Sequence, residues 1–393
     1  MNWDDTILDA ATTDTGMRRA NNQDSHSVVR ASNAEVWRQR GHLFMVADGM
    51  GGHAVGELAS KLACDNIPFN YVKARNVPPS EAITKAYREV GALIHSRAAA
   101  NSDFKGMGTT CTTLILLPEG ALVAHVGDSR AYRVRQGRID QLSFDHSMVW
   151  ELMKRNLLPA DGANLSVHKN VITRSLGSDP KVEVDVEGPL AVEPNDVYLL
   201  CSDGLSGPVT DPEMGAFAEN FHPKDAGRYL ISLANLRGGN DNITAVVLRI
   251  GAWVEPDTAH DVAVESAHAA AANGRKPGGG WKAGLSGLLG GLHLHKKAAP
   301  ATVEDHPYRT AECPITVELL EKYSDLTRRV QAHAIEHAWD LDWPRFTEFR
   351  RDEAQAKAAG NPRKTLKALG EMIALLGVAG RFHRKSGGHA GVG

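Results

Sequence analysis

The chain has 393 residues and a formal net charge of −3, with 42% hydrophobic and 23% charged residues. This length exceeds the usual size of one domain, so we expect two folded units or one large unit with an appendage. The composition is close to the globular average, which excludes a wholly disordered or fibrous chain. The slightly acidic charge argues against nucleic acid as a partner, because polyanions are bound by basic surfaces.

Cysteine spacing and hydropathy indicate the compartment. The four cysteines lie far apart and lack the C-x-x-C pattern, which favours neither a disulfide framework nor a zinc knuckle. The first residues, MNWDDTILDA, contain no basic segment followed by a long apolar run, and the apolar stretch over residues 283–294 is interrupted by glycine. We therefore expect a cytoplasmic protein without a membrane segment.

Residues 1–251 are predicted to form one α+β unit, because short β-rich runs alternate with long helical segments. The helical segments cover about 56–72 and 79–100, and the predicted strands are Leu43–Ala47, Cys111–Leu117, Ala121–Val126, Val197–Cys201 and Ile243–Ile250. Runs of strands around paired helices favour antiparallel sheets flanked by helices over a regular βαβ arrangement.

The rest of the chain is predicted to contain a linker and a helical region. Residues 252–312 are rich in Ala, Gly, His and Pro and bury too little apolar surface to offset chain entropy, so we expect a flexible linker. Residues 313–393 are expected to form a small helical appendage of two or three helices. Apolar side chains there follow 4-3-4-4 spacing at Leu319, Tyr323, Leu326, Val330 and Ala334. We expect a fragment that ends near residue 251 to fold and be active without them.

Five aspartates stand at the ends of apolar, strand-like runs and beside Gly or another small turn residue: Asp24, Asp48, Asp128, Asp203 and Asp241. A single Asp-Gly after a strand is most simply a turn, since Asp bonds its own backbone and Gly adopts positive φ. Five such positions indicate more, because carboxylates gathered at strand ends repel one another unless cations neutralise them. All-oxygen ligand sets select hard ions such as Mg²⁺ or Mn²⁺. The pattern therefore predicts a dinuclear metal centre.

A dinuclear centre suits phosphoester hydrolysis. Two ions can lower the pKa of a shared water and hold it in line with phosphorus. Phosphoryl transfer needs little more than this and a cation on the non-reacting oxygens. Arg19, five residues before Asp24, could bind two phosphate oxygens at once, although a plain surface arginine is an equally good interpretation of this residue alone.

Eight motifs stand in order between about residues 7 and 250: GMRRANNQD, MVADGMGGH, GTTCTTL, AHVGDSRAY, LSFDHS, VITRSLG, LLCSDGLSG and GGNDNITAVV. This series resembles the metal-dependent serine/threonine protein phosphatases, the PPM or protein phosphatase 2C family, of the bacterial type. The resemblance implies an αββα sandwich of two central antiparallel sheets flanked by helices. It also implies that residues 1–251 are a protein phosphatase catalytic domain.

The resemblance further implies roles for individual residues. Asp48 would bridge two ions at the catalytic centre, and the carbonyl of Gly49 would hold the second ion. The first ion would be completed by Asp203 and Asp241. Asp128, together with Asp203, would hold a third, weaker ion.

Two more positions have implied or predicted roles at this centre. Asp24 would act mainly through bound water, and Arg19 would bind the substrate phosphate. Ser129 and Ser202 lack a His-Asp partner set, so we predict that they are turn formers or orient the adjacent carboxylates rather than act as nucleophiles.

The general acid is left unassigned. Eukaryotic members of the family have a His directly after the Asp-Gly pair, taken as the acid that protonates the leaving oxygen, and here that position is Met50. His53 and metal-bound water are open alternatives. The segment from His146 to Val171 corresponds to the family's variable flap, with a plain helix-loop connection as an equal alternative.

The resulting hypothesis is metal-dependent hydrolysis of phosphoserine and phosphothreonine on proteins, by a water activated at a dinuclear Mn²⁺ or Mg²⁺ centre and without a phosphoenzyme. Alternatives are a catalytically inactive module that binds phosphoproteins, and a hydrolase of small phosphoesters. Retention of all the aspartates argues against the inactive module. Expected partners are phosphorylated proteins, the substrates of a serine/threonine kinase, and the C-terminal helices could bind a further protein.

Two other motifs are interpreted as chance matches. Gly49–Ala54 fits the loose dinucleotide pattern G-x-G-x-x-[GA], but Asp48 would repel a pyrophosphate and no βαβ unit follows. The run from His333 to His337 reads H-x-x-E-H, the spacing of a helical zinc site. We interpret it as an ordinary helical segment, because no sizeable domain surrounds it to supply a third ligand and a substrate cleft.

Overall fold

The computed structural model describes residues 7–52, 55–155, 171–253 and 307–385. Two sheets form their centre, and neighbouring strands are antiparallel in both. The first sheet contains, in spatial order, β1 (Ile7–Asp14), β11 (Ile243–Ile250), β10 (Val197–Cys201), β7 (Arg130–Arg135), β8 (Arg138–Gln141) and β12 (Arg309–Glu312). The second contains β2 (Asp24–Val29), β3 (His42–Met50), β5 (Cys111–Leu117), β6 (Gly120–Val126) and β9 (Asp185–Leu190), with the short β4 (Gly108–Thr109) paired to β3.

Helices flank the two sheets. In chain order they are α1 (Ala34–Arg40), α2 (Val55–Lys73), α3 (Pro79–Ala100), α4 (Met148–Lys154), α5 (Asp203–Ser206), α6 (Asp211–Asn220), α7 (Pro223–Leu236), α8 (Val317–Glu336), α9 (Trp343–Ala358) and α10 (Pro362–Lys385). The predicted α+β class and the αββα sandwich are confirmed. No helix in the described ranges is long and apolar enough to cross a membrane.

The layers follow from the alternation of side chains along each strand. On β3, Leu43 and Met45 belong to the core under α2 and α3, whereas Phe44 and Val46 belong to the core between the two sheets. Successive side chains of a strand point to opposite faces, so an unbroken apolar run is buried on both sides. This continuous hydrophobicity is what identified the central strands in the sequence.

The C-terminal helices share a core with the first sheet. Tyr323 of α8 and Phe346 of α9 are fully buried in the same cluster as Phe217 of α6 and Tyr229 of α7. Gly370 of α10 permits close approach to α7, because an added Cβ would lie 2.9 Å from the ring of Tyr229. The described residues 7–251 and 307–385 accordingly belong to one compact unit. The division at residue 251 into a catalytic domain and an appendage stays a prediction.

The predicted linker ended too late. It was expected over residues 252–312, but Arg309–Glu312 form β12, which pairs with β8. Pairing satisfies the backbone groups at the edge of β8, and the hydroxyl of Thr310 adds a 2.9 Å hydrogen bond to Asp140. Residues 254–306 lie outside the described residues.

Candidate active site

Five strand ends bring the predicted aspartates together. Asp24 begins β2 and lies opposite Asp48 near the end of β3. Asp128 follows β6, Asp203 begins α5 directly after β10, and Asp241 precedes β11. The charges of the other four aspartates all act on Asp48. Residues from both sheets therefore meet at one end of the sandwich.

The cluster is electrostatically unfavourable without cations. Burial, as the main cause, raises the pKa of Asp24 to about 7 and that of Asp128 to about 7. Burial and then the charge of Asp24 raise the pKa of Asp48 well above its usual range. The pKa of Asp203 is raised by burial and by the charge of Asp241, although its interaction with Asp48 acts in the opposite direction. Positive charge placed among these groups would relieve the repulsion.

Three carboxylate oxygens in this cluster lack hydrogen-bond donors. Oδ1 of Asp24, of Asp128 and of Asp203 is buried and has no hydrogen-bond partner among the residues that the structure describes. Buried polar atoms are nearly always satisfied by a donor, a water or an ion. A set of oxygen donors from several carboxylates suits hard divalent cations, so the residues present fit the predicted metal centre.

Hydroxyl groups fix the orientation of Asp24. Ser202 Oγ and Thr244 Oγ1 each donate a 2.7 Å hydrogen bond to Asp24 Oδ2. This leaves Asp24 Oδ1 as the oxygen available to an ion or its water. Ser202 was predicted to orient an adjacent carboxylate and instead orients one from the other sheet. Thr244 was missed, although it stands within the GGNDNITAVV motif.

The backbone of Asp48 is held by the neighbouring strand. Its N–H donates to Thr110 Oγ1 at 2.9 Å, and its carbonyl oxygen accepts from Thr110 N at 2.9 Å and from Thr109 Oγ1 at 2.8 Å. Gly49 is required next to it, because a Cβ there would lie 2.0 Å from the carbonyl oxygen of Gly56. The start of α2 can therefore pack directly against this turn.

Arg19 faces the aspartates from a loop. Its Nη2 donates to Asp241 Oδ2 at 2.8 Å, and this hydrogen bond raises the pKa of Arg19. The side chain is 49% exposed, so it lies at the solvent side of the cluster. Asn242, which the sequence analysis did not single out, holds the loop with Nδ2 hydrogen bonds of 2.9 Å to the carbonyl oxygens of Thr15 and Asn21.

Arg130 is a second cation that the sequence analysis missed. It donates three hydrogen bonds of 2.7–3.1 Å to Asp145, and its charge lowers the pKa of Asp128 and Asp203. Both partners stand in motifs quoted above, AHVGDSRAY and LSFDHS. Arg130 thus offsets part of the repulsion within the acidic cluster.

The base of the predicted flap is attached to the Asp128 turn. His146 Nδ1 accepts a 3.0 Å hydrogen bond from Gly127 N, so its Nε2 carries the proton in the 2.9 Å contact with Asp185. The flap continues into α4, and its residues 156–170 lie outside the described residues, as does His53. The general acid therefore stays unassigned.

Comparison with known proteins supports the resemblance. Residues 17–226 match the family model described as protein phosphatase 2C. The chain is 33% identical over 241 residues to protein phosphatase PhpP of Streptococcus pneumoniae, covering 60% of this chain and 94% of that protein. It is similar to the solved structure of the Mycobacterium tuberculosis serine/threonine phosphatase PstP/Ppp, with 31% identity, a TM-score of 0.55, and coverage of 63% of this chain and 100% of that one.

A further solved structure, the catalytic domain of serine threonine protein phosphatase PstP in complex with two manganese ions, has 31% identity and a TM-score of 0.53. It covers 63% of this chain and 99% of that one. The matched length is thus nearly all of each relative, and the match to the family model ends at residue 226, before the C-terminal helices. On this sequence and fold, the chain belongs to the protein phosphatase 2C family and is a protein serine/threonine phosphatase.

Proposed function

We propose that this phosphatase hydrolyses phosphoserine and phosphothreonine monoesters on proteins at a dinuclear Mn²⁺ or Mg²⁺ centre. The observation that carries the proposal is the set of three buried, unpartnered carboxylate oxygens in one cluster beside Arg19. The manganese complex of the related PstP supports Mn²⁺ as one of the two candidate ions.

Each aspartate has a proposed position in this centre. Asp48 would bridge the two ions, and the carbonyl of Gly49 would bind the second. Asp203 and Asp241 would complete the first ion. Asp128 would share a third, weaker ion with Asp203.

Residues beside these ligands would orient the ions and the substrate. Asp24 would act mainly through bound water, held in place by Ser202 and Thr244. Arg19 would bind two oxygens of the substrate phosphate with its planar guanidinium group. Its contact with Asp241 keeps the guanidinium beside the ligands before substrate arrives.

When bound, the two ions would lower the pKa of a water for direct attack on phosphorus and would neutralise charge on the phosphoryl oxygens, without a phosphoenzyme. The side chains support direct attack. Cys201, the cysteine beside this end of β10, is buried and its pKa is raised to about 12, so it is a poor nucleophile. Ser202 already donates its hydroxyl proton to Asp24.

The surface beside the centre supports a protein substrate. A groove next to β3 is lined by Met50, His95, Lys105, Gly108 and Ser175 and is open to solvent. Such a groove accepts an extended phosphopeptide more readily than it encloses a small phosphoester. We propose phosphoproteins made by a serine/threonine kinase as substrates. The four cysteines are free and buried, which supports a reducing cytoplasm.

The inactive phosphoprotein-binding module is the less favoured alternative. A scaffold that only bound phosphoproteins would have no need of five converging carboxylates whose mutual repulsion has to be relieved. The test is phosphate release from a phosphothreonine peptide and from an aryl phosphate, with Mn²⁺ and then with chelator. We expect turnover that requires metal and survives Cys201→Ser. Stoichiometric peptide binding without turnover would favour the inactive module.

A further inference from the structure

Four rings meet where α8 ends against α10: His333, His337, Trp339 and His383. The ring centroids of His333 and His337 are 4.0 Å apart, and those of Trp339 and His383 are 5.7 Å apart in a stacked arrangement. The centroid of His383 is 6.3 Å from that of His337. Three imidazoles from two helices therefore share one small volume, well separated in sequence from the aspartate motifs.

Two of these imidazoles have unsatisfied nitrogens. Nε2 of His333 and Nε2 of His383 are buried and have no hydrogen-bond partner in the described part of the chain. Burying an imidazole nitrogen without a partner costs free energy, so such atoms call for a water or an ion. Both atoms belong to the same ring cluster and are available to a ligand that accepts nitrogen lone pairs.

The end of α8 supplies further ligands at suitable spacing. His333 and His337 are four residues apart and lie on one face of the helix. One ligand atom each from His333, Glu336 and His337 lies within 4.8 Å of the other two. Among the described residues, this is the group of three His, Cys, Asp or Glu side chains whose ligand atoms all lie within 4.8 Å of one another.

A hydrogen bond to the backbone leaves one ring nitrogen of His337 free. Its Nδ1 donates a 3.0 Å hydrogen bond to the carbonyl oxygen of His333. The proton is thereby fixed on Nδ1, and Nε2 keeps a free lone pair. Metal-binding histidines are usually held this way, with the second ring nitrogen bonded to a carbonyl or a carboxylate.

We propose that His333, Glu336 and His337, joined by His383 from α10, form a second metal site that binds a transition-metal dication of the Zn²⁺ class. Imidazole nitrogens with one carboxylate favour Zn²⁺, whereas the all-oxygen aspartate cluster favours Mg²⁺ or Mn²⁺. The H-x-x-E-H pattern alone offered no third imidazole, and α10 places the ring centroid of His383 6.3 Å from that of His337.

The position of the site suggests a structural role. A pocket beside it is lined by His333, Trp339, Met17, Arg18 and Gly238. The N–H groups of Met17 and Arg18 both donate to the carbonyl oxygen of Gly239, at 2.7 and 3.1 Å. These two loops continue into Arg19 and Asp241. An ion that links the end of α8 to α10 would therefore stabilise the surface on which these two active-site loops pack.

The test uses the full-length chain, first treated with chelator to remove bound metal. Zn²⁺ is then titrated into the protein in excess Mg²⁺, and binding is measured by calorimetry. We expect one Zn²⁺ per chain that Mg²⁺ does not displace. His337→Ala should weaken this binding by about 100-fold or more, since even residues that only orient a ligand contribute about 10- to 100-fold. His26→Ala, an exposed histidine on β2, is the matched control and should bind as the parent does.

Co²⁺ provides a second readout that a folding defect would not imitate. We expect the intense visible bands of a four-coordinate Co²⁺ site in the parent and in Asp203→Asn, and their loss in His337→Ala. Should His337→Ala fail to fold, Glu336→Gln replaces it, because that side chain is 76% exposed. Parent-like Zn²⁺ affinity in both Glu336→Gln and His337→Ala, or no Zn²⁺ that resists Mg²⁺, would overturn the proposal.

Discussion

Asp24 and Asp48 lie directly opposite each other across the antiparallel strands β2 and β3. Like charges in this arrangement destabilise a sheet, and the charge of Asp24 contributes to the raised pKa of Asp48. The folded chain therefore holds together groups that repel each other when ionised. Bound protons or metal ions relieve that repulsion, which makes stability depend on both.

The metal-free chain should lose stability as pH rises from about 4 to about 7. The pKa of Asp24 and of Asp128 is raised from 3.8 to about 7 in the folded state, so the folded chain binds protons more tightly than the unfolded chain does. The stability that these two carboxyls contribute is fully present below 3.8, their pKa in the unfolded chain. It is lost as pH rises through about 7, their pKa in the folded chain. Thermal unfolding in chelator across this range checks the slope.

Mn²⁺ should remove this loss, because it replaces the protons on the ionised carboxylates. The increase in Tm on adding Mn²⁺ is therefore expected to be larger at about pH 8 than at about pH 5. An equal or smaller increase at the higher pH would show that the aspartates are not the groups that bind the ion. Asp65→Asn, on the exposed surface of α2, serves as a control that leaves the difference unchanged.

Ser202→Ala should weaken metal binding without unfolding the chain. The change removes one of two hydroxyl donors to Asp24 Oδ2 and leaves the carboxylate less well oriented. We expect the Mn²⁺ concentration for half-maximal activity to rise by about 10- to 100-fold, with a smaller effect at saturating Mn²⁺. Ser206→Ala, in the short helix α5 that follows Ser202, is the control. Parent-like Mn²⁺ dependence in Ser202→Ala would show that this hydrogen bond has no role.

Arg19→Ala should impair binding of the phosphate group. Loss of a charged hydrogen-bond donor costs about 1.5–3 kcal/mol, so kcat/KM for a phosphothreonine peptide is expected to fall by about 10- to 100-fold, chiefly through KM. The neighbouring Arg18 lines the pocket at the C-terminal helices, and Arg18→Ala is the control. Equal kinetics of the two variants would exclude Arg19 as the phosphate-binding residue.

Removal of the C-terminal helices should destabilise the chain. Leu369, Met372 and Ile373 of α10 are fully buried in the cluster that contains Tyr229 and Leu230 of α7. A fragment that ends at residue 251 exposes this face of α7, so we now expect it to be poorly soluble or to unfold at a lower temperature. This revises the expectation from sequence, and a fragment as stable as the parent would restore it.

A milder variant separates packing from chain length. Gly370→Val places side-chain atoms against the ring of Tyr229 and should lower the free energy of unfolding by about 1–3 kcal/mol. Val378→Ala, on the exposed face of α10, is the control. Chemical denaturation of the full-length chain gives both values. No change in Gly370→Val would mean that α10 does not pack tightly on α7.

The strands and helices that could be predicted are those whose own residues show a β-rich run or a helical period. The β-rich runs of Cys111–Leu117 and Val197–Cys201 are strands with the predicted bounds. Arg130–Arg135 was not predicted, because its charged side chains are buried by ion pairs with partners elsewhere in the chain. The pair of Arg133 and Asp140 is almost fully buried, at 1% and 0% exposure. Periodicity cannot show such pairing.

The site could be predicted only for residues whose neighbours in the sequence form a recognisable pattern. Each aspartate stands at the start or the end of a strand-like run, and that local signal sufficed to predict the acidic cluster. Thr244 and Asn242 act through hydrogen bonds to residues more than 200 positions away, which no local spacing reveals. The periodicity of α8 likewise predicted a buried face but not that α6 and α10 cover it.

The most direct test of the metal centre counts bound Mn²⁺ and phosphate release in the same samples. The parent should bind two Mn²⁺ at the aspartate cluster, release phosphate from a phosphothreonine peptide, lose activity in chelator and regain it with Mn²⁺. Asp203→Asn should lose metal and more than about 100-fold of the activity. Activity that persists in chelator would contradict hydrolysis at an aspartate-bound metal centre. Parent-like turnover by the Asp203→Asn variant would contradict it as well.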